Sequence, residues 1–434
     1  MHATMFASLF ATGLLALPLA ADAQLSPIEQ NIIAAVKVRS EAALQFLERT
    51  VNVNSGTMNH EGVREVGKMF SAEFEQLGFV TRWANMPPEM QRAGHLIATR
   101  EGKQGKRLLL IGHLDTVFEK DSPVQRWDRK GDTVRGQGVS DMKGGDVIVV
   151  EALRALQSVG ALDNTTIHVV FSGDEERVGS PIDISRADMI ALAKRSDIAL
   201  AFEGTAIDRN GKDTATIGRR ASSTWRLDVT GKQGHSAGVF NNNYGAIYET
   251  ARILNGFREQ VIEPDLTFNA GVILGGTEVV YDDSVSKGSA FGKSNVIAPK
   301  ATVKGDLRYL TYEQRDRAHA RMREIVGKNL PGTNAKIQFT EAYPPMAPTA
   351  GNLGLLKIYS QASSDAGLGP IDALPPGRRG AGDVQFVAPF LDSLDGLGAT
   401  GKGAHSPNED LYLPSIERAT IRTALLIYRL TRPD

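Results

Sequence analysis

The sequence predicts an α/β protein of two domains: a largely parallel sheet between helical layers, with a smaller module inserted into the larger one. Three observations lead there. The chain has 434 residues, too many for one hydrophobic core. Short apolar runs alternate with helical patterns through its first half, the mark of βα units around a parallel sheet. Near residue 218 this alternation gives way to strands that are apolar on one face only, and near residue 343 the first style returns.

The elements follow in order. The opening "MHATMFASLFATGLLALPLAADAQ" reads as an export signal, with an apolar stretch from Met5 to Leu19 and an A-x-A site at Ala21-Asp22-Ala23. Its n-region holds a His but no Lys or Arg. The stretch is shorter than the roughly 20 apolar residues of a membrane span, so removal after Ala23 and a periplasmic or secreted product are expected. From Ser26 to Gly78, two amphipathic helical patterns flank the polar turn "NVNSGTMNHEG". "HLIATR" and "RLLLIG" are strands, "KGGDVIVVEALRALQSVG" is a helix ending at Gly160, and "TIHVVFSG" is a strand. "PIDISRADMIALAKRS" is a helix and "DIALAFEG" a strand.

The inserted module starts with "STWRLDVTG", where Trp225, Leu227 and Val229 alternate with Arg226 and Asp228. A helix ("NNYGAIYETARILNGF") and the strands "LTFNAGVILGG" and "ATVKGDLRYL" come next. A helix opened by Thr311-x-x-Gln314 and the strand "AKIQFTEA" complete a β-α-β-β-α-β order, which is ferredoxin-like. "YPPMAP" at 343–348 leads back to a helix, the loop "PPGRRGAGD" and the terminal helix "SIERATIRTALLIYRL".

Composition narrows the chemistry. Apolar residues make up 41% and charged residues 23%, as in soluble globular proteins. The net charge is −1, with no basic run, so nothing argues for nucleic acid or, once the signal is gone, a membrane surface. Cysteine is absent, which excludes disulfides, thiol nucleophiles and thiolate metal sites. Any metal must be held by His, Asp and Glu.

Such residues recur at strand ends and in loops. They are His113 and Asp115 in "GHLDTV", Asp141 in "GVSDMKGG", Glu175-Glu176 in "GDEERVGS", Glu203 in "AFEGT" and His405 in "GAHSPNED". In open α/β sheets, sites form at the carboxyl ends of strands. Imidazole and carboxylate without thiolate are the ligands expected of a hydrolytic zinc site. Singly, each has a plainer explanation: Asp141 as a helix N-cap, Glu175-Glu176 as solvated turn residues, His405 as a loop histidine. His60, His95 and His168 are given no role. Jointly, the plain explanations require too many coincidences.

The motifs "GHLDTV", "GVSDMKGG", "GDEERVGS", "GHSAG" and "GAHSPNED", in this order and spacing, resemble the M20 family of dinuclear-zinc metallopeptidases and deacylases, within it the exported bacterial glutamate carboxypeptidases. The resemblance implies a zinc-exopeptidase-like α/β/α catalytic domain with a ferredoxin-like lid. The signal would span 1–23, the catalytic domain 24–217 and 343–434, and the lid 218–342. Two Zn²⁺ ions per chain are implied. His113 and Glu203 complete one, Glu176 and His405 the other, and Asp141 bridges both. Asp115 orients the His113 imidazole, the usual task of a carboxylate behind a zinc-bound histidine. Glu175 is the general base, and a cis peptide is expected at Asp141-Met142.

His235 in "GHSAG" is implied to reach the partner subunit's site in a homodimer built through the lid. Asn295 in "SNVIAP" and Arg308 in "GDLRYL" match binders of the substrate carboxylate. Arg379 is a further carboxylate binder, although the loop length leaves Arg378 open for that role. The segment 277–294, "TEVVYDDSVSKGSAFGKS", is longer than the family's lid connection. The activity implied is removal of a C-terminal amino acid, glutamate foremost, from small peptides. An N-acyl amino acid deacylase of the acetylornithine or succinyl-diaminopimelate type would use the same site. A non-catalytic zinc- or peptide-binding protein would have lost the base or a ligand, and here all are present.

Overall fold

The computed structural model describes residues 25–432, so the predicted export signal lies outside the described residues. A six-stranded sheet runs Val80–Ala84, His95–Arg100, Thr165–Ser172, Gln104–His113, Ile198–Ala201, Asp392–Leu394 in spatial order. Its last four strands are mutually parallel, and the first two pair antiparallel. The run Leu108–Ile111 is apolar at every position because both faces of the sheet are covered. Leu108 and Leu110 join one core with Val147, Leu153, Leu425 and Leu426 from two long helices, Gly144–Ser158 and Pro414–Thr431. Leu109 and Ile111 join another on the opposite face, with Met189, Leu192 and Val387.

The helix expected over "PIDISRADMIALAKRS" is broken into Ile182–Ser185 and Ala187–Ala193. Arg186, between them, is 1% exposed and turns inward to two carboxylates. The strand Val80–Ala84 was not expected, since its exposed outer residues mute the apolar signal.

A second sheet of four antiparallel strands has the order Thr267–Gly276, Lys300–Arg308, Ser222–Gly231, Thr333–Tyr343. With the helices Gly245–Gln260 and Tyr312–Gly327 interleaved, this is the ferredoxin-like arrangement. Trp225, Leu227 and Val229 are buried with Ile253, Phe257 and Met322 in a core separate from those of the large sheet. Thr311 Oγ1 accepts from Gln314 N at 3.1 Å, while Gln314 Oε1 reaches Leu310 N rather than the cap residue's own amide. The long segment 277–294 contains a hairpin, Glu278–Asp282 and Lys287–Phe291. Asp283 at its turn is ion-paired to Arg226 and Lys304 on the sheet's open face.

The chain crosses between the two sheets at a paired junction. Arg219 and Met346 exchange backbone hydrogen bonds of 2.9 and 3.0 Å, so the outgoing and returning chains run side by side. Among the described residues, no helix is long and apolar enough to cross a membrane.

Candidate metal centre

Three neighbouring parallel strands end together. Ser172 pairs with His113, and Ala201 with Ile111. The residues that follow, Glu175-Glu176 and Glu203, therefore emerge beside His113 at the sheet's carboxyl edge, where strands of an open α/β sheet deliver their functional groups. Asp141 sits at a kink before the helix Gly144–Ser158, next to a cis peptide at Asp141-Met142. His405 is supplied by the loop after Gly401–Lys402, at φ 62°.

The side chains converge. His113 is 1% exposed, and its Nε2 lies 3.3 Å from Asp141 Oδ1 and 3.6 Å from Glu203 Oε1. His405 Nε2 lies 3.1 Å from the other oxygen of Asp141 and 2.9 Å from Glu176 Oε2. Asp141 thus has one imidazole at each carboxylate oxygen. Glu175 stands with His113 and Glu203 in a group whose donor atoms all lie within 4.8 Å of one another. His113, Asp141 and Glu176 form a second such group.

Asp115 serves both sides. Its backbone carbonyl accepts from His113 Nδ1 at 3.0 Å, closer than its carboxylate at 3.6 Å. The carboxylate instead accepts from Thr57 Oγ1 at 2.6 Å and from the amides of Glu175 and Glu176 at 3.0 and 3.2 Å. It fixes the acidic loop as much as the imidazole.

Charge crowding dominates the electrostatics. Burial pushes Glu176 up to about 7, although His405 bonds to it. Burial, then the carboxylates of Glu203, Asp383 and Glu176, raise Glu175 well above the usual carboxylate range against the pull of His113. Contacts with Asp141 and Glu176 take His405 up to about 11. Burial opposes protonation of His113, yet Asp141 and Glu203 raise it well above an ordinary imidazole. Positive charge is thus favoured at the heart of the cluster. His113 Nε2 and Glu176 Oε1 are buried without a hydrogen-bond partner, and both atom types are zinc donors. The residues fit a metal centre.

Arg379 lines a cavity of about 200 Å³ together with Asp141, Glu203 and Lys402. Its Nη2 donates to Gly204 O at 2.8 Å and its Nε is buried and unpartnered. Arg378 is exposed and turned to Ile207 O. His235, Asn295 and Arg308 are all on the inserted module. His235 Nδ1 accepts from Ala237 N, Asn295 is exposed, and Arg308 Nε lies 3.2 Å from Asp306. Among the described residues, no contact of one chain brings these three to the cluster.

Several supporting residues escaped the sequence. Glu409, 1% exposed, accepts at Oε1 from Ser140 N (2.9 Å), Ser140 Oγ (3.2 Å) and Asp141 N (3.2 Å). It lies within the quoted "GAHSPNED", so its motif was a signal without a role attached. Arg219, in "GRRAS", binds Asp395 and holds Nη2 4.0 Å from Glu203 with no hydrogen-bond partner. His95 is not idle: Nδ1 accepts from Gly173 N and Nε2 donates to Ser185 O, on either side of the acidic loop.

An α/β sheet with such a donor set at its carboxyl edge defines a metal-dependent hydrolase. The chain belongs to peptidase family M20/M25/M40, whose profile matches residues 109–429. It is 28% identical to carboxypeptidase G2 of Pseudomonas sp. (strain RS-16), over 99% of this chain and 98% of that one. It is 23% identical to the succinyl-diaminopimelate desuccinylase of Delftia acidovorans, over 86% of this chain and 94% of the relative. Among solved structures, the aminopeptidase PepT of Bacillus cereus superposes with a TM-score of 0.71 at 16% identity, covering 91% of this chain and 99% of the other. The protein is thus an enzyme, a metallopeptidase or amidohydrolase resembling carboxypeptidase G2.

Proposed function

We propose that the protein is a dinuclear-zinc exopeptidase that hydrolyses the amide bond to a C-terminal amino acid, with glutamate the leading candidate. The observation that carries this reading is Asp141, whose two oxygens each face one imidazole. His113 and Glu203 would hold one ion, Glu176 and His405 the other, and Asp141 both. When bound, such a pair polarises the scissile carbonyl and makes water a nucleophile near neutral pH.

The chain's own groups do the rest. Glu175 takes the proton of the attacking water and hands it to the leaving nitrogen. Asp115 holds the Glu175 amide in place. Arg379 offers an unpartnered donor to a substrate carboxylate, for which a guanidinium fork is suited. Asn295 and Arg308 would add to that grip when the inserted module closes as a lid, hinged near Arg219 and Met346. His235 would stabilise the oxyanion in the site of a second copy, which makes a homodimer part of the reading. The lid is taken to span 218–342, and the enzyme to act after export, in the periplasm or outside the cell.

The test is metal content and hydrolysis together, on the mature protein and on Glu175→Ala, against N-acyl amino acids, dipeptides and folate-type glutamyl conjugates. Two zinc ions in both proteins with cleavage only by the wild type support the reading. Metal without cleavage by the wild type, or no metal, refutes it. The likeness to a desuccinylase favours one second reading, N-acyl amino acid deacylation by the same centre. The substrate panel separates the two.

A further inference from the structure

We propose that Arg186 is a positioning residue for Glu175, acting through a buried Asp174–Arg186–Asp383 clamp; this rests on the reading of Glu175 as the base. Arg186 is 1% exposed, Asp174 is fully buried and Asp383 is 4% exposed. The guanidinium reaches Asp174 Oδ1 with Nη1 at 2.5 Å and Asp383 Oδ1 with Nε at 2.8 Å. Every remaining carboxylate oxygen of the clamp is used. Asp174 Oδ2 accepts from Gly179 N (2.9 Å) and Ser185 Oγ (2.8 Å), and Asp383 Oδ2 from Ser172 Oγ (2.5 Å).

Buried ion pairs are poor stabilisers, because desolvation of the charges offsets their attraction and apolar replacements are often as stable. What this clamp supplies is location. Asp174 is the residue before Glu175, so the guanidinium sets where the base emerges from its strand. Ser172 ends that strand, and its carbonyl accepts from Leu114 N beside Asp115, which in turn holds the Glu175 amide. Asp383 belongs to the loop that carries Arg379, so one guanidinium ties the base to a substrate-binding loop. Tyr343, the last residue of the inserted sheet, closes the frame by donating its hydroxyl to Glu175 O at 3.3 Å. The base loop is thus held by side chains at Asp174, at both Glu175 backbone groups and at the Glu176 amide. Hydrogen bonds of this number around one short loop restrict a base to its working geometry, where a shift of about 1 Å costs on the order of 10²-fold in rate.

The experiment is Arg186→Lys, which keeps the charge and loses the fork, made alone and with Glu175→Gln. Zinc content, kcat and KM are measured on a panel of dipeptides and N-acyl glutamates. We expect two zinc ions retained, kcat lower by about 10²-fold, KM within about twofold, and no further loss when Arg186→Lys is added to Glu175→Gln. Additive losses, a kcat equal to the wild type, or loss of zinc would overturn the inference. Full activity of Glu175→Gln would overturn the base reading and this inference with it. If Glu175→Gln is inactive while Arg186→Lys keeps the wild-type kcat, only the clamp falls. Should Arg186→Lys not fold, Ser172→Ala and Tyr343→Phe each remove one hydroxyl of the same frame. Both are expected to lower kcat several-fold with KM unchanged, and unchanged kcat in both refutes the proposal.

Discussion

Glu409 gives the sharpest test of how the metal centre is supported. Its Oε1 receives two main-chain amides, Ser140 and Asp141, and the Ser140 hydroxyl. Truncation to Ala leaves both amides without an acceptor. A buried unsatisfied group costs about 1–3 kcal/mol. The Asp141 amide is only part-buried and belongs at the low end. Loss of the carboxylate gives some of this back, since Glu409 is buried with Oε2 unpartnered and is pushed up to about 8, by burial first and Asp141 second. The net is a destabilisation of about 1–3 kcal/mol. Gln keeps an acceptor oxygen and should lose less than about 1 kcal/mol.

The larger effect is on metal. Asp141 is the group shared between the two imidazoles, and Glu409 sets its backbone. Removal of a residue that orients a ligand lowers metal affinity by about 10–100-fold. Chelator competition for zinc should therefore place Glu409→Ala near 100-fold weaker and Glu409→Gln within about tenfold, with denaturant titration of the metal-free proteins giving the stability term separately. An Ala variant that binds zinc within twofold of the wild type, or that loses stability with affinity unchanged, would refute the reasoning.

Three further outcomes are expected. Gly112→Ala puts a methyl 2.1 Å from Asp146 Oδ1 and 3.0 Å from the Phe171 ring, both fully buried, so denaturation should show a loss of about 1–3 kcal/mol; an unchanged midpoint would mean that Asp146 swings aside. Arg379→Gln removes a charged donor beside the cluster and should raise KM for carboxylate-bearing substrates about 10–100-fold with kcat within about twofold, and a fall in kcat alone would contradict that assignment. His319, stacked on Phe339 at 3.6 Å, is held down to about 4 by burial and by Arg323 and Arg315. The unfolded chain therefore binds the extra proton between about pH 6.5 and 4, so its contribution to stability is present above that window and lost as pH falls through it. Urea midpoints should drop across this window in the wild type and stay flatter in His319→Leu; parallel curves would refute the assignment.

The clustered histidines and carboxylates were legible because they interrupt patterns. Leu108–Ile111 is a both-faces-buried strand, and a His-x-Asp directly after it has no packing explanation. The strand "TIHVVFSG" runs into Asp174-Glu175-Glu176 in the same way. Topology was legible where faces differ, as at Trp225 against Arg226. The direction of His95–Arg100 was not, because an antiparallel strand buried on both faces has the same composition as a parallel one. Nor was the break at Arg186, since the segment keeps a helical apolar rhythm through Met189 and Leu192 while one arginine points inward. Thr57 and Glu409 stayed silent for a shared reason: their partners lie far along the chain, Glu409 and Ser140 being 269 positions apart, and Arg186 shares it only through Asp383.

That separation has a consequence for how the centre is assembled. The residues before the inserted module supply His113, Asp141, Glu175, Glu176 and Glu203, and those after it supply His405, Glu409, Asp383 and Arg379. Asp383 anchors Ser172 and Arg186, Glu409 anchors Asp141, and Arg429 binds Glu29 at 2.7 Å near the opposite end of the chain. Neither segment has a complete donor set, and each holds buried charges that only the other neutralises. An unpaired buried charge is far more costly than an unmade surface contact. The cluster should therefore not form in either segment alone. Docking of the returning chain, at the Arg219–Met346 bridge and the strand Asp392–Leu394, is expected to precede metal binding. A chain cut after residue 217 that binds zinc as tightly as the whole protein would refute this.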